Sequence, residues 1–377
     1  MDGSRRQFLG LAGAAGLGAG VATAIGQPWD EGATTTSTPA PISAVFASAS
    51  SGSSQQGHVF VVPWSGDAAT NVRAINEAID AAAKSRGRQG GVLPGGGLVQ
   101  LPDGVFKVEA PILLRAGVLL AGTGLGTVMQ RSKDDGRPMV TFADNSPVGG
   151  AGIRDLFITG LKGRHGKPGN DGVVIPEKGT GFRGNVVLTN VLLTQHAGSG
   201  VVSRQIGCRL EGVLVQHSGR DGIELFGSDS FAHHCQVSDS DAGYRITGGN
   251  SHVSSCYAYY NNGSGFVVTA SRVVMTACVA QDNQPDGFVF RTTGATVSGC
   301  QADTNRVSNF HLVAAKESAF TGLSSVWRPG ARFPAPTGGG IRIEGSPAGV
   351  LLTGVSPASA GGVVGSLAAG SVTQVVA

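Results

Sequence analysis

A right-handed parallel β-helix, an all-β solenoid, is the fold this sequence predicts, and three observations predict it. A closing Gly or Asn recurs at residues 200, 222, 243, 265, 287 and 309, in steps of 22, 21, 22, 22 and 22. A short β-prone run follows each closing glycine, as in Ile223-Glu224-Leu225, Tyr244-Arg245-Ile246 and Phe266-Val267-Val268. Asparagines and cysteines hold fixed columns within the same repeat. Units this short carry a few strands of three to five residues and leave no room for a helix, so each rung must bury itself on its neighbours. A leucine-rich repeat needs a Leu/Asn signature absent here, and a propeller blade needs about 40 residues. Composition agrees: 61 of 377 residues are Gly and 14% are charged, which suits many short strands joined by tight turns. The net charge of +3 is scattered, whereas nucleic-acid binding needs a concentrated basic face.

Three segments follow from the order of composition. Residues 1–24 read as a twin-arginine signal peptide: Ser4-Arg5-Arg6-Gln7-Phe8-Leu9, an apolar stretch to Ala24, and an Ala22-Thr23-Ala24 cleavage site. That stretch is short for a bilayer span, which needs about 20 apolar residues. The expectation is export by the twin-arginine pathway to a secreted, periplasmic or cell-surface location, with no stable membrane anchor after cleavage. Residues 25–57, rich in Ser, Thr, Ala and Pro, read as a flexible linker, and residues 58–377 as the β-helix domain. Two insertions are expected to interrupt the rungs, Gly160 to Gly181 and Ser318 to Gly340, and residues 341–377 read as irregular final rungs and a cap.

The columns predict how the rungs stack. Asn261, Asn283 and Asn305 lie four residues before the closing position; asparagine tolerates the left-handed conformation and can hydrogen-bond along a stack, so a ladder is expected. Cys235, Cys256, Cys278 and Cys300 form a second column, with Cys208 outside it. Equivalent positions on adjacent rungs lie about 4.8 Å apart, so stacked core thiols are the favoured reading. A disulfide between adjacent or alternate rungs is the open alternative, and a metal cluster is not expected.

Residues from about 60 to 125 resemble the N-terminal part of the pectate-lyase-like β-helix superfamily, which includes rhamnogalacturonase and epimerase relatives. The matching pieces are Ser65-Gly66-Asp67, the stretch from Val72 to Ile79, Gly97 to Gly104, Pro111 to Leu114, and Gly117 to Gly124. Val72, Ile75, Ile79 and Ala82 share one helical face, and the resemblance implies an N-terminal capping helix over the open end of the solenoid. It further implies action on polysaccharides: hydrolysis, β-elimination or epimerisation. The chain departs from two branches. Gly219-Arg220-Asp221-Gly222 is the nearest match to the polygalacturonase Asn-Thr-Asp-Gly, and the Asp-Asp, Gly-His-Gly and Arg-Ile-Lys pieces are missing from the rungs. Arg328-Pro329-Gly330-Ala331-Arg332 does not fit the calcium-dependent pectate-lyase pattern Arg-x-Pro-x-x-Arg.

The middle rungs carry the densest ionisable residues, and candidate catalytic residues are drawn from them: His217, Asp221, Glu224, Asp239, Asp241 and Arg245. Glycosidases need two carboxyl groups about 5 to 10 Å apart, a separation that neighbouring rungs supply. Asp221 with Asp241, or either with Glu224, is the expected acid/base pair, and one member needs a raised pKa. His217 lies under Asp239 and is suited to orient or shuttle a proton. Arg245 is suited to a substrate carboxylate, or to neutralising charge beside a lyase base. The competing duties are turns for Asp before Gly and a surface ion pair between Glu224 and Arg245. Tyr260 and Asp282 follow in the His217 column, and with Trp327 and Arg328 of the second insertion they form the expected substrate-binding set. His233 and His234 fall at a rung corner, where strand alternation points them to opposite faces. No cofactor is called for, Ca2+ being an option only for a lyase. Function is therefore read as cleavage or rearrangement of a polysaccharide over the middle rungs. A glycan-binding adhesin or tailspike-like module and a trimeric fructotransferase-like enzyme are the alternatives, so monomer and homotrimer both stay open.

Overall fold

The computed structural model describes residues 59–85, 96–143, 149–161, 165–177, 186–335, 337–345, 347–356, 362–368 and 370–375. The signal peptide and linker expected over residues 1–57 lie outside them. What they form is a stack of parallel rungs, each made of three short strands that pair in register with their counterparts above and below.

The rung around Asp221 shows the plan. Arg209–Glu211 lies on a first face, Leu214–Gln216 on a second and Ile223–Leu225 on a third. On the next rung these pair with Phe231–His233, Gln236–Ser238 and Tyr244–Ile246. The first two faces form one 21-stranded sheet among the described residues, and the third face an 11-stranded sheet. The two faces merge because Gly152–Thr159 and Val187–Thr194 run from one to the other, bending at Asp155 and Asn190 with φ of 52° and 53°.

All three corners are closed by residues with positive φ. His234, Ser255 and Ala277 bend the first corner (φ 51°, 51° and 52°). His217, Asp239, Tyr260, Asp282 and Thr304 bend the second (φ 51° to 58°), and Asp229, Asn250 and Arg272 the third (φ 55° to 56°). None of these eleven is glycine. Left-handed backbone costs an ordinary residue roughly 1 kcal/mol, and rung-to-rung hydrogen bonds such as His217 N–H to Ser238 O (3.2 Å) and Tyr260 N–H to Gln281 O (3.2 Å) hold the conformation.

The closing glycines are required for a different reason. A Cβ on Gly200, Gly222, Gly243, Gly265 or Gly287 would lie 2.5 to 2.9 Å from the carbonyl oxygen of the next closing residue. The backbones of neighbouring rungs approach too closely there for a side chain.

Both columns stack as expected. Asn261 Nδ2 donates to Asn283 Oδ1 (2.8 Å) and Asn283 Nδ2 to Asn305 Oδ1 (3.0 Å). Asn309, in the closing position, ends the ladder by accepting from Asn305 Nδ2 at 2.8 Å. All five cysteines are buried and unpaired, so the column is one of core thiols. Beside it Tyr244, Phe266, Phe288 and Phe310 stack ring on ring at 4.6, 4.8 and 5.0 Å.

The helix spans Ala68–Lys84, and its N-cap Asp67 accepts from the Thr70 amide at 2.7 Å. It packs on the first strands, including Val59–Val61, Leu98–Gln100 and Gly104–Val108. Its expected face is the packed one: Ile75, Ile79 and Ala82 are buried and Val72 packs partly buried against the same core, with Asn71 buried beside them, its amide donating to Ser65 O and Lys107 O.

Both insertions differ from the expected spans. Val173–Ile175 is a regular third-face strand paired with Val201–Ser203, so the first does not run unbroken from Gly160, and its end from residue 178 lies outside the described residues. Ala319–Thr321 and Ser324–Val326 are regular strands too, so the second begins at Trp327. The final rungs, Ile341–Glu344, Leu351–Val355, Val363–Val364 and Val372–Val375, include a register shift between Thr353 and Val355.

Candidate functional site

The third face gathers the densest charge. Ile223 and Leu225 belong to the core, so strand alternation turns Glu224 away from it. Register places Arg245 directly above Glu224. The residues two positions before these strands also form a column, which runs Asp171, Ser199, Asp221, Ala242 up successive rungs.

Here the expected ion pair is corrected. Arg245 does not bond Glu224; its Nε donates to Asp221 Oδ2 at 2.5 Å and its Nη2 to Asp221 Oδ1 at 3.3 Å. Asp221 Oδ1 also accepts from the Ala242 amide at 3.0 Å. Asp221 is 4% exposed and Glu224 3%, so neither is a plain surface turn residue. Glu224 instead accepts a short hydrogen bond from Ser199 Oγ. Burial pushes its carboxyl up from the ordinary carboxylate value, and the charges of Asp221 and Asp171 push the same way against the Ser199 hydroxyl and Arg220. Burial raises Asp171 as well, opposed by the Ser199 amide, which donates to Asp171 Oδ1 at 2.7 Å. The Asp221 hydrogen bond in turn holds Arg245 above its ordinary value. An open cleft of about 460 Å³ runs over this ground, lined by Arg220, Asp221, Asp241, Arg245, Ser264 and Val267 among others. Asp241 and Arg220 are exposed at its mouth.

The other candidates lie at the second corner. His217 and Asp239 are half-exposed corner residues, with Nδ1 and Oδ2 3.9 Å apart, and neither lines the cleft. Tyr260 and Asp282 continue that column, and the second insertion folds back along it. Arg328 Nε lies 2.5 Å from Asp303 Oδ2, and its Nη2 lies 3.6 Å from Asp282 Oδ2. Arg332 sits 5.8 Å from the centre of the Tyr260 ring. Thr304 Oγ1 reaches Asp282 Oδ1 at 3.1 Å and Asp303 Oδ1 at 3.0 Å. Tyr260, Asp282 and Arg328 thus lie together, with Trp327 adjoining, and Arg328 is committed to two buried carboxylates rather than presented to an anion. Asp303, raised by burial, belongs to this group. His233 and His234 do not diverge: their rings stack at 3.8 Å, because the left-handed backbone of His234 breaks strand alternation.

Sequence reasoning also missed a set higher on the third face. His311 occupies the outward position of Glu224 four rungs on. Its Nδ1 lies 3.2 Å from Asp286 Oδ2 and its Nε2 3.1 Å from Glu344 Oε2. The Asp286 hydrogen bond lifts the imidazole above its ordinary value, with Glu344 adding to it. The pattern Asn309-Phe310-His311, parallel to Gly222-Ile223-Glu224, was the available signal.

A family model of the right-handed β-helix region matches residues 171–352. No curated protein sequence matches the chain. Among solved structures, the A-module of the Azotobacter vinelandii mannuronan C-5 epimerase AlgE4 is similar at a TM-score of 0.57 and 19% identity, over 80% of this chain and 95% of that one. The enzymatically active domain of the bacteriophage CBA120 tailspike protein 2 is similar at 0.59 and 14% identity, over 74% of this chain and 44% of that one. Likeness at these identities establishes the fold, a right-handed parallel β-helix.

Proposed function

We propose that the chain is an enzyme, exported by the twin-arginine route, that cleaves or rearranges a polysaccharide by acid/base chemistry in the third-face cleft. The observation that carries this reading is a pair of unlike carboxyls three residues apart. Asp221 is engaged by Arg245 and the Ala242 amide, while Glu224 is driven towards its protonated form by burial. A buried carboxyl raised by its surroundings, beside a second carboxyl held by a cation, offers a proton donor and a charged partner in one place. Glu224, which lies behind the cleft wall rather than on it, is assigned proton donation. Asp221, with Asp241 at the mouth, supplies the negative charge that accepts a proton or faces a developing cation; Arg245 orients Asp221, and Arg220 meets acidic groups of the polymer. A fold shared with a mannuronan C-5 epimerase module and an enzymatically active tailspike domain supports such chemistry on this scaffold.

A second reading, a non-catalytic glycan-binding module, is favoured by one observation: both carboxyls are already more than nine-tenths buried. A product screen of the mature protein on uronic-acid, neutral and fructan polymers separates the two. New reducing ends indicate hydrolysis, ultraviolet-absorbing unsaturated ends indicate elimination, and altered residue stereochemistry indicates epimerisation. Saturable binding without turnover on any polymer would replace the enzyme by the binding module.

A further inference from the structure

Ser199 is fully buried between two carboxyls on neighbouring rungs, and it uses a different group on each. Its amide donates to Asp171 Oδ1 at 2.7 Å, and its hydroxyl donates to Glu224 Oε1. None of Asp171, Ser199 and Glu224 lines the cleft, whose walls begin at Arg220 and Asp221. The rung register makes this arrangement, since Asp171, Ser199 and Asp221 stack in one column while Glu224 lies on the strand entered from Asp221. We infer that Asp171 and Ser199 form a bracket that fixes the Glu224 carboxyl and governs whether it holds a proton. Both are positioning residues, because they act through Glu224. The inference rests on the assignment of Glu224 as proton donor only for its catalytic consequence; the bracket itself is a property of the fold.

The two arms of the bracket pull in opposite directions. A negative charge on Asp171 disfavours a second negative charge on Glu224, whereas the Ser199 hydroxyl donates to the ionised carboxylate and favours it. The other charges facing this pair are Asp221, Arg220 and Arg245 around Glu224, and Arg204, Arg220 and Arg131 around Asp171. Asp171→Asn keeps an acceptor for the Ser199 amide and removes only the charge. Ser199→Ala keeps the amide and removes only the hydroxyl. A filler role in packing would produce no such opposed pair of effects.

The test is a titration of the Glu224 carboxyl by 13C NMR in protein labelled at the glutamate side-chain carboxyls, the signal assigned with E224Q. The expected result is a lower midpoint in D171N and a higher one in S199A. Charges two rungs, about 10 Å, apart shift one another on the order of half to one pKa unit. An unmoved midpoint in both variants, or movement of the same sign, overturns the bracket whatever the activity. The pH–rate profile on a polysaccharide substrate, read separately, concerns the acid role. The high-pH limb should move down in D171N and up in S199A, following the NMR midpoints. If the midpoints move and the limb does not, the bracket stands and the proton-donor role of Glu224 fails.

Discussion

Replacing Asn283 by Ala tests whether the asparagine ladder carries stability. Asn283 is fully buried, and its side chain makes four hydrogen bonds. Nδ2 donates to Ala258 O at 2.9 Å and to Asn305 Oδ1 at 3.0 Å, and Oδ1 accepts from Asn261 N–H at 3.2 Å and Asn261 Nδ2 at 2.8 Å. Truncation strands the Asn261 amide and one of its side-chain N–H groups in the interior. Each buried donor left unpaired costs about 1–3 kcal/mol, so the loss should be about 3–5 kcal/mol. At roughly 2 °C per kcal/mol for a domain of this size, Tm should fall by about 6–10 °C. Scanning calorimetry measures it, with Gln236→Ala on the exposed surface as the control expected within about 0.5 kcal/mol of the parent. An N283A variant as stable as that control would refute the ladder as a stabilising element.

Three further outcomes follow from particular contacts. Arg245→Ala leaves the buried Asp221 carboxylate without its bidentate partner; the guanidinium is 39% exposed, so screening discounts the cost to about 1–3 kcal/mol, read as a lowered urea midpoint. Gly243→Ala places a Cβ 2.5 Å from Gly265 O, and expression with loss of cooperative unfolding should show that no rung shift accommodates it; a variant with parental Tm contradicts the close-approach account. His311 sits above its ordinary imidazole value because of Asp286 and Glu344, so its stabilising contribution is fully present below about pH 6.5 and lost as pH rises through the folded value. Comparing Tm of the parent and H311Q from pH 5.5 to 8.5 should show the difference shrinking upward, and a constant difference would refute the clamp.

The repeat made the architecture legible because a parallel stack turns sequence spacing into contact. Once the closing positions are set 21 or 22 residues apart, His217 must fall under Asp239 and Glu224 under Arg245, as observed. What spacing does not reveal is which neighbour a flexible side chain chooses. Arg245 is above Glu224 yet reaches back to Asp221, because Asp221 also holds the Ala242 amide and is the better-placed anion. Ser199 lies in the plain turn Gly198-Ser199-Gly200, and nothing in its sequence context marks it as the partner of Glu224. Asp171 was hidden by the insertion before it, which breaks the count of rungs below Val191. The segment after Trp327 has no period at all, so its return over Asp282 and Asp303 could be found only from the folded chain.

The most direct test of the catalytic cleft is the turnover of Glu224→Gln beside the parent protein, on the polymer that the product screen identifies. The substitution keeps the shape and an acceptor for Ser199 but removes the acidic proton. General acid catalysis contributes about 10²–10⁴-fold, so turnover should fall at least about a hundredfold while Tm and polymer binding stay near parental. Turnover within about twofold of the parent would move the chemistry away from Glu224 and contradict the account.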